Sequence, residues 1–145
     1  GGGSGASGQC LVMKSLQPRV QVIGVQAERA PAVYLSWKAG RKVETPEAAT
    51  WAEGLATRTP FELTLGILQK LLDDMLLVSE EELRDAVRFL LQTEHQVAEA
   101  AGAAPIAAAR RLAPRLRGRR VVCVVSGGHL TLEQLRWVLQ PAPSA

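Results

Sequence analysis

Two glycine-rich turns contain the residues of this sequence that are best suited to bind a ligand. The first turn, residues 1–8, has the sequence GGGSGASG and leads directly into a segment of helical character. Backbone N–H groups in such a turn can surround a phosphate because no Cβ blocks the approach, and the following helix N-terminus adds positive potential. This turn predicts a phosphate-bearing ligand. The structural alternative is a flexible glycine-rich linker.

The second turn, residues 126–129 (SGGH), follows an apolar run of strand length at residues 120–125 (RVVCVV). Ligands of parallel α/β folds bind at the carboxyl ends of strands, so we expect the Ser126 hydroxyl to face the same ligand. The alternative is a tight strand-to-helix turn with Ser126 as a cap. Two such turns suit a cofactor that has a phosphate at one end and a ring nitrogen at the other.

The first turn also fits the dinucleotide-binding fingerprint G-x-G-x-x-G, at Gly3, Gly5 and Gly8. Glu28 follows Gly8 by 20 residues, where a carboxylate that binds ribose is expected. The strand that should precede the fingerprint is not part of the sequence. A nicotinamide-binding domain of the Rossmann type is therefore a second hypothesis.

The segments that must position these turns alternate between strands and helices. Strands are predicted at 20–25, 75–78 and 120–125, and helices at 6–16, 30–39 and 98–113. Three further helices are predicted to begin at capping boxes, at residues 59–62, 79–82 and 131–134. Residues 41–58 should form a loop with a short piece of structure near Trp51. This order predicts an α/β fold, a parallel sheet flanked by helices.

Composition and charge exclude several classes of protein. The chain has 145 residues, 47% of them hydrophobic and 21% charged, which is ordinary for one globular domain. No apolar run has the length of a membrane span, and the N-terminus lacks the pattern of a signal peptide. Six arginines fall within residues 110–120 without interleaved aromatics, so we expect a solvated helix end and no nucleic acid. Cys10 and Cys123 lie among apolar residues, which predicts reduced thiols in a cytoplasmic protein and no metal site.

Four segments resemble, in order and spacing, the threonine ammonia-lyases and their serine racemase relatives. These segments are residues 18–58, 73–83 (DDMLLVSEEEL), 95–104 (HQVAEAAGAA) and 124–135 (VVSGGHLTLEQL). The resemblance covers residues 1 to about 139. It implies the large cofactor domain of a fold-type II pyridoxal-phosphate (PLP) enzyme, with part of the sheet missing. Residues 1–139 would be the C-terminal part of that domain, and residues 140–145 a disordered tail.

The resemblance also implies which residues contact the cofactor: Gly1, Gly2, Gly3, Ser4, Gly5, Gly54, Glu99 and Ser126. The first five match the loop that binds the cofactor phosphate, although the family usually has glycine at Ser4. Ser126 matches the serine that hydrogen-bonds the pyridine nitrogen, and Gly54 matches a segment that borders the ring. Glu99 matches a glutamate near the cofactor, with a capping or solvated glutamate as the alternative.

The implied activity is β-elimination and deamination of L-threonine, and of L-serine, to a 2-oxo acid and ammonia. The Schiff-base lysine of the family has no counterpart at any of the four lysines, Lys14, Lys38, Lys42 and Lys70. We therefore expect it to belong to a half that precedes residue 1, and we expect no catalytic residue in this chain. Serine racemization by the parent enzyme and an inactive truncated product remain alternatives.

Further expectations follow from the same resemblance. Relatives that bind a divalent cation have carboxylates at the positions of Gln26 and Ala32, which predicts that this metal is absent. His129 stands where asparagine usually follows the glycines. The parent enzyme should take an amino-acid substrate, form a dimer or tetramer of identical subunits, and act in isoleucine biosynthesis or threonine catabolism.

Overall fold

A computed structural model describes residues 1–140 of the chain. The helices are α1 (Ser4–Leu16), α2 (Ala32–Ala39), α3 (Glu62–Leu71), α4 (Glu80–Thr93), α5 (Ala100–Arg111), α6 (Ala113–Leu116) and α7 (Leu132–Leu139). The strands are β1 (Ile23–Ala27) and β2 (Asp74–Val78), and a single 3₁₀ turn spans Glu53–Leu55. The predicted order of strands and helices is confirmed up to the end of α5, with β1 beginning three residues later than expected, whereas the short helix α6 was not predicted.

The two strands form a parallel pair with Ile23 opposite Asp74 and Ala27 opposite Val78. Alternate side chains of the pair enter two different cores, as the period of a strand requires. Ala27 and Val78 belong to the larger core, which packs against α4 and α5, whereas Met75 belongs to the smaller one. The predicted fold class, a parallel sheet flanked by helices, is thereby confirmed.

The smaller core joins α1 to α2 and α3, and so determines where the first glycine-rich turn lies. Its buried members are Cys10, Val22, Val33, Leu68, Leu72 and Met75. Cys10 is fully buried in α1, and its thiol, like that of Cys123, is free. Within residues 1–140, no helix is both long enough and apolar enough to cross a membrane.

Two of the three predicted capping boxes are present. Ser79 caps α4 and Thr131 caps α7, each with the reciprocal bond from the third helical residue. The box at residues 59–62 is wrong, because α3 begins at Glu62 with Phe61 as its N-cap and no side-chain cap bond. Pro60 is buried and the backbone at Phe61 is extended, so the chain packs Pro60 before it turns into the helix.

The predicted buried strand at residues 120–125 is wrong in this structure. These residues have no regular secondary structure, and Val122 is 87% exposed. A strand exists only beside a neighbour that takes its backbone hydrogen bonds, and residues 1–140 supply no such neighbour here. Cys123, expected in that strand, is half-buried. The expected tail at 140–145 lies outside the described residues apart from Gln140.

Candidate functional site

The glycine loop, Gly1–Gly5, leads into the N-terminus of α1. Gly3 is the N-cap residue and has a φ of 84°, in the left-handed region that favours glycine. The side chains of the loop provide no cap to the helix. The positive end of a 13-residue helix is therefore left open at this turn.

Three successive carbonyl groups of the loop are held by donors from the protein. The Gly1 carbonyl accepts from Gln26 Nε2 at 3.3 Å, the Gly2 carbonyl from Thr64 Oγ1 at 2.6 Å, and the Gly3 carbonyl from the Ser7 N–H at 2.8 Å. In a planar trans peptide the next N–H points opposite to the carbonyl. The N–H groups of residues 2–4 therefore point away from these donors.

These N–H groups are unused. Within residues 1–140, no backbone or side-chain acceptor meets the N–H groups of residues 2–6. Consecutive free N–H groups at a helix N-terminus are the arrangement that binds phosphate in other proteins. The loop therefore has the geometry and the potential for an anion.

The 3₁₀ turn packs directly against the loop. A Cβ placed on Gly1 would collide with the Gly54 carbonyl oxygen, and a Cβ placed on Gly54 would lie 2.8 Å from Ala101 Cβ. Gly1, Gly54 and the first turn of α5 are therefore in close contact. The structure thus places Gly54 at the edge of the glycine loop, while its expected position beside the cofactor ring stays a prediction.

Glu99 contacts the second glycine-rich turn and lies near Gly54. It is the N-cap residue of α5, yet its side chain does not cap the helix; its Oε2 accepts from the His129 N–H at 3.1 Å. The Glu99 N–H donates to the Gly127 carbonyl at 3.1 Å, and a Cβ on Gly127 would lie 2.7 Å from Glu99 Oε1. A Cβ on Gly54 would lie 3.5 Å from the same oxygen. The capping alternative is therefore wrong, whereas a contact between Glu99 and the cofactor stays a prediction.

Ser126 lies beside this contact and is exposed. Its hydroxyl has no hydrogen-bond partner in the described part of the chain, and the following helix is capped by Thr131 rather than by Ser126. The alternative role of Ser126 as a helix cap is therefore wrong. Its hydroxyl is available to a ligand.

The residues of the dinucleotide hypothesis are less well placed. Gly5 and Gly8 both lie within α1, and a Cβ on either would meet nothing within 4 Å. The Glu28 carboxylate lies 3.8 Å from the Arg111 guanidinium. The presence of glycine at positions 5 and 8 is therefore not explained by a close approach of a ligand or of packed backbone.

The far end of α1 is anchored by an ion pair. Lys14 Nζ lies 2.5 Å from Asp73 Oδ2, which also accepts from the Val22 N–H at 2.7 Å. Partial burial alone would raise the pKa of the Asp73 carboxyl, but the hydrogen bonds from Lys14 and Val22 outweigh it and hold this pKa below its usual range. This pair fixes the helix whose other end carries the loop.

Comparison with known proteins decides the family. The model of one protein family, described as pyridoxal-phosphate dependent enzymes, matches residues 1–127. The chain belongs to this family. The expected cofactor is therefore confirmed as pyridoxal phosphate, and the dinucleotide hypothesis gains no support.

Two relatives show how much of the family fold the chain contains. It is 38% identical over 135 residues to an L-threonine ammonia-lyase from Thermotoga maritima, covering 93% of this chain and 33% of the relative. It is 34% identical to a catabolic L-threonine dehydratase from Escherichia coli strain K12, covering 93% of this chain and 42% of the relative. The chain thus spans well under half of these proteins.

Solved structures of PLP enzymes agree with the fold. The threonine deaminase from T.th. superposes with a TM-score of 0.82 at 34% identity, over 91% of this chain and 48% of that one. The processed form of threonine deaminase isoform 2 from Solanum lycopersicum superposes with a TM-score of 0.90 at 27% identity, over 95% of this chain and 39% of that one. Serine racemase from Dictyostelium discoideum superposes with a TM-score of 0.81 at 29% identity, over 91% of this chain and 42% of that one. The fold is therefore that of the fold-type II PLP enzymes.

The residues present fit this cofactor. Its phosphate suits the free N–H groups of residues 2–6, and a Cβ on Gly1 or Gly2 would strike the Gly54 carbonyl or the Phe61 ring.

Sequence patterns identified the loop but not the donors behind it. The role of Ser7 as a donor follows only from the course of α1. The roles of Thr64 and Gln26 follow only from contacts between residues that are distant in sequence. Among residues 1–140, no three His, Cys, Asp or Glu side chains form a possible metal site, and the expected lack of a metal stays a prediction.

Proposed function

We propose that this chain is the cofactor-binding part of an enzyme that deaminates L-threonine, and also L-serine, to a 2-oxo acid and ammonia. The observation that carries the proposal is the row of free N–H groups at residues 2–6, in a chain of the PLP family. The similarity to proteins named L-threonine ammonia-lyase and threonine deaminase supports the choice of substrate.

The glycine loop holds the cofactor phosphate in this proposal. Gly1, Gly2, Gly3, Ser4 and Gly5 form the loop, and the positive end of α1 offsets the charge of the phosphate. The Ser4 hydroxyl adds a donor where the family usually has none. Because the carbonyls are already bonded to the protein, the loop need not rearrange to accept the anion.

Ser126 interacts with the ring nitrogen. When bound, pyridoxal phosphate withdraws electrons from the α-carbon of the substrate. The Ser126 hydroxyl is neutral, so it donates a hydrogen bond to the nitrogen without stabilising a protonated ring as a carboxylate would. The weaker electron sink favours loss of the β-hydroxyl over transamination.

Gly54 and Glu99 shape the space between the two ends of the cofactor. Gly54 presents backbone without a side chain, which lets the ring approach closely. Glu99 holds the turn at Gly127 and His129 through two hydrogen bonds, and thereby positions the neighbouring Ser126.

The lysine that the family bonds to its cofactor is assigned to the part of the fold that this chain does not span. Lys14 pairs with Asp73, Lys42 with Glu44, and Lys38 lies 5.2 Å from the Trp37 ring, while Lys70 is exposed on α3. The proposal places the whole enzyme in the cytoplasm as a dimer or tetramer. Relatives named as biosynthetic and as catabolic dehydratases both match, so both isoleucine biosynthesis and threonine catabolism suit it.

Serine racemization is a second candidate, favoured by the similarity to serine racemase from Dictyostelium discoideum. The two activities use the same cofactor and the same substrate. They differ in the product formed from L-serine, which is pyruvate for deamination and D-serine for racemization.

The experiment joins this chain to the N-terminal half of the family fold, taken from its own gene or fused from the Thermotoga maritima relative. Supplied with pyridoxal phosphate, the joined protein should convert L-threonine to 2-oxobutyrate. Ser126→Asp should depress elimination, whereas Glu28→Ala should leave it nearly unchanged. Tight NADH binding that depends on Glu28, with no turnover of threonine or serine, would overturn the proposal, and D-serine as the main product would favour racemization.

A further inference from the structure

Gln26 connects the glycine loop to α2. Its side chain is almost fully buried, with 3% of the residue exposed, and both ends of its amide are bonded. Nε2 donates to the Gly1 carbonyl at 3.3 Å, and Oε1 accepts from the Tyr34 N–H in the first turn of α2 at 2.8 Å. A buried amide is tolerated because its polar atoms are paired in this way.

The two partners require both functions of an amide. A backbone carbonyl only accepts and a backbone N–H only donates, so the bridging side chain must donate at one end and accept at the other. Glutamate would place a carboxylate against the Gly1 carbonyl without a proton between them. An apolar residue would leave the Gly1 carbonyl without its donor and the Tyr34 N–H without its acceptor.

We infer that Gln26 is a positioning residue for the cofactor phosphate, acting through the peptide plane between Gly1 and Gly2. By holding the Gly1 carbonyl, it turns the Gly2 N–H to the opposite side, where that N–H stays free. This role resembles that of Thr64 at the next peptide, but Gln26 acts from β1 and so links the loop to the sheet. The inference rests on the proposed function, because it assumes that the loop binds the phosphate.

A positioning role and a merely structural role differ in what they do to two ligands. Pyridoxal has the ring and aldehyde of the cofactor but no phosphate. If Gln26 orients the N–H groups that donate to the phosphate, its loss weakens the binding of pyridoxal phosphate and leaves the binding of pyridoxal unchanged. If it only stabilises the fold, both ligands are affected alike or neither is.

The experiment measures the dissociation constants of both ligands with the joined protein, from the absorbance of the bound form. Gln26→Met keeps the length and neutrality of the side chain and removes its donor. We expect it to weaken pyridoxal phosphate about tenfold and pyridoxal by less than about twofold, as the loss of a buried hydrogen bond and the freeing of the loop predict. Gln26→Glu should weaken the phosphate form further, because it adds a negative charge behind the loop. Gln92→Glu, an exposed change of the same type on α4, should alter neither constant.

The outcomes separate the inference from the proposed function. If the unchanged joined protein fails to bind pyridoxal phosphate, the proposed function fails. If it binds, and Gln26→Met either binds both ligands as before or weakens both equally, the positioning role is wrong while the proposed function stands. Should Gln26→Met fail to fold, as shown by its thermal unfolding, Gln26→Asn, which keeps a neutral amide but shortens its reach to the Gly1 carbonyl, gives the same comparison of the two ligands.

Discussion

At the scale of the residue, some positions of this site require glycine because neighbouring atoms leave no space for a Cβ, and others because of their backbone angles. A Cβ on Gly54 would meet both Ala101 Cβ and Glu99 Oε1, whereas a Cβ on Gly66, inside α3, would lie in open space. The same substitution should therefore have opposite effects at the two positions.

We expect Gly54→Ala to destabilise the fold by about 1–3 kcal/mol, because the added Cβ must displace packed atoms. Gly66→Ala should stabilise it by about 0.5–1 kcal/mol, since alanine loses less conformational freedom in a helix than glycine does. Chemical denaturation of both variants checks the pair. A loss of stability in Gly66→Ala as large as that in Gly54→Ala would contradict this account of the packing.

The sequence reveals the glycine loop more readily than it reveals the residues that hold the loop in place. A run of glycines before a helix is a local pattern, and so the loop could be found. Thr64 lies 62 residues from the carbonyl it holds, and Gln26 lies 25 residues from its own, so no local spacing reveals them. The role of Ser126 stays a prediction, and the strand expected before it is not formed.

At the scale of the element, local and tertiary signals can be told apart. The capping boxes at Ser79 and Thr131 formed because all their atoms lie within four residues. The box at residues 59–62 failed because the burial of Pro60 and the extended Phe61 set the start of α3. Residues 120–125 failed as a strand because strands depend on neighbours that are distant in sequence.

The two kinds of signal predict different responses to alanine. Ser79→Ala should lower the free energy of unfolding by about 1 kcal/mol, because it removes the cap of α4. Thr59→Ala should change the free energy of unfolding by less than about 0.5 kcal/mol, because Thr59 makes no cap bond to α3. Parallel denaturation curves measure both. Equal losses would show that Thr59 caps α3 in solution.

The ion pair at the end of α1 predicts a dependence on pH. The pKa of Asp73 is lowered in the folded state, so its contribution is complete above the pKa of the unfolded chain and is lost as the pH falls through the folded value. Asp73→Asn should therefore lower the midpoint of thermal unfolding at neutral pH, and the difference should shrink in acid. Asp85→Asn, at an exposed carboxylate that lies 3.6 Å from Arg88, should have little effect at either pH. A difference for Asp73→Asn that is constant with pH would contradict the role of this carboxylate.

At the scale of the whole molecule, the sheet and the surface point to the part of the family fold that is not spanned here. The described sheet has two strands, and Val121, Val122 and Val124 are exposed. Relatives are about two to three times as long as the matched region. The chain therefore spans only part of the family fold, and in the proposed function it supplies the phosphate-binding loop while the family's lysine lies in the part that is not spanned.

We expect this chain, expressed by itself, to produce no 2-oxobutyrate from threonine above a buffer control. The reason is that none of its four lysines lies in a segment that resembles the family's lysine motif, and elimination in this family requires a lysine on the cofactor. The exposed valines should also make it prone to association, which sizing chromatography would detect. Activity of the purified chain would show that another group replaces the lysine.

The central claim is that the glycine loop binds the phosphate of the cofactor, and Ser4 allows the most direct test. Ser4→Asp places a carboxylate at the first residue of α1, where it stabilises the helix but repels a phosphate. Ser4→Gly restores the residue that the family usually has and serves as the matched control. In a titration of the joined protein with pyridoxal phosphate, we expect Ser4→Asp to weaken binding about a hundredfold, as like charges in close contact do, and Ser4→Gly to leave it nearly unchanged. If Ser4→Asp binds the cofactor as tightly as the unchanged protein, the phosphate does not lie in this loop and the account is wrong.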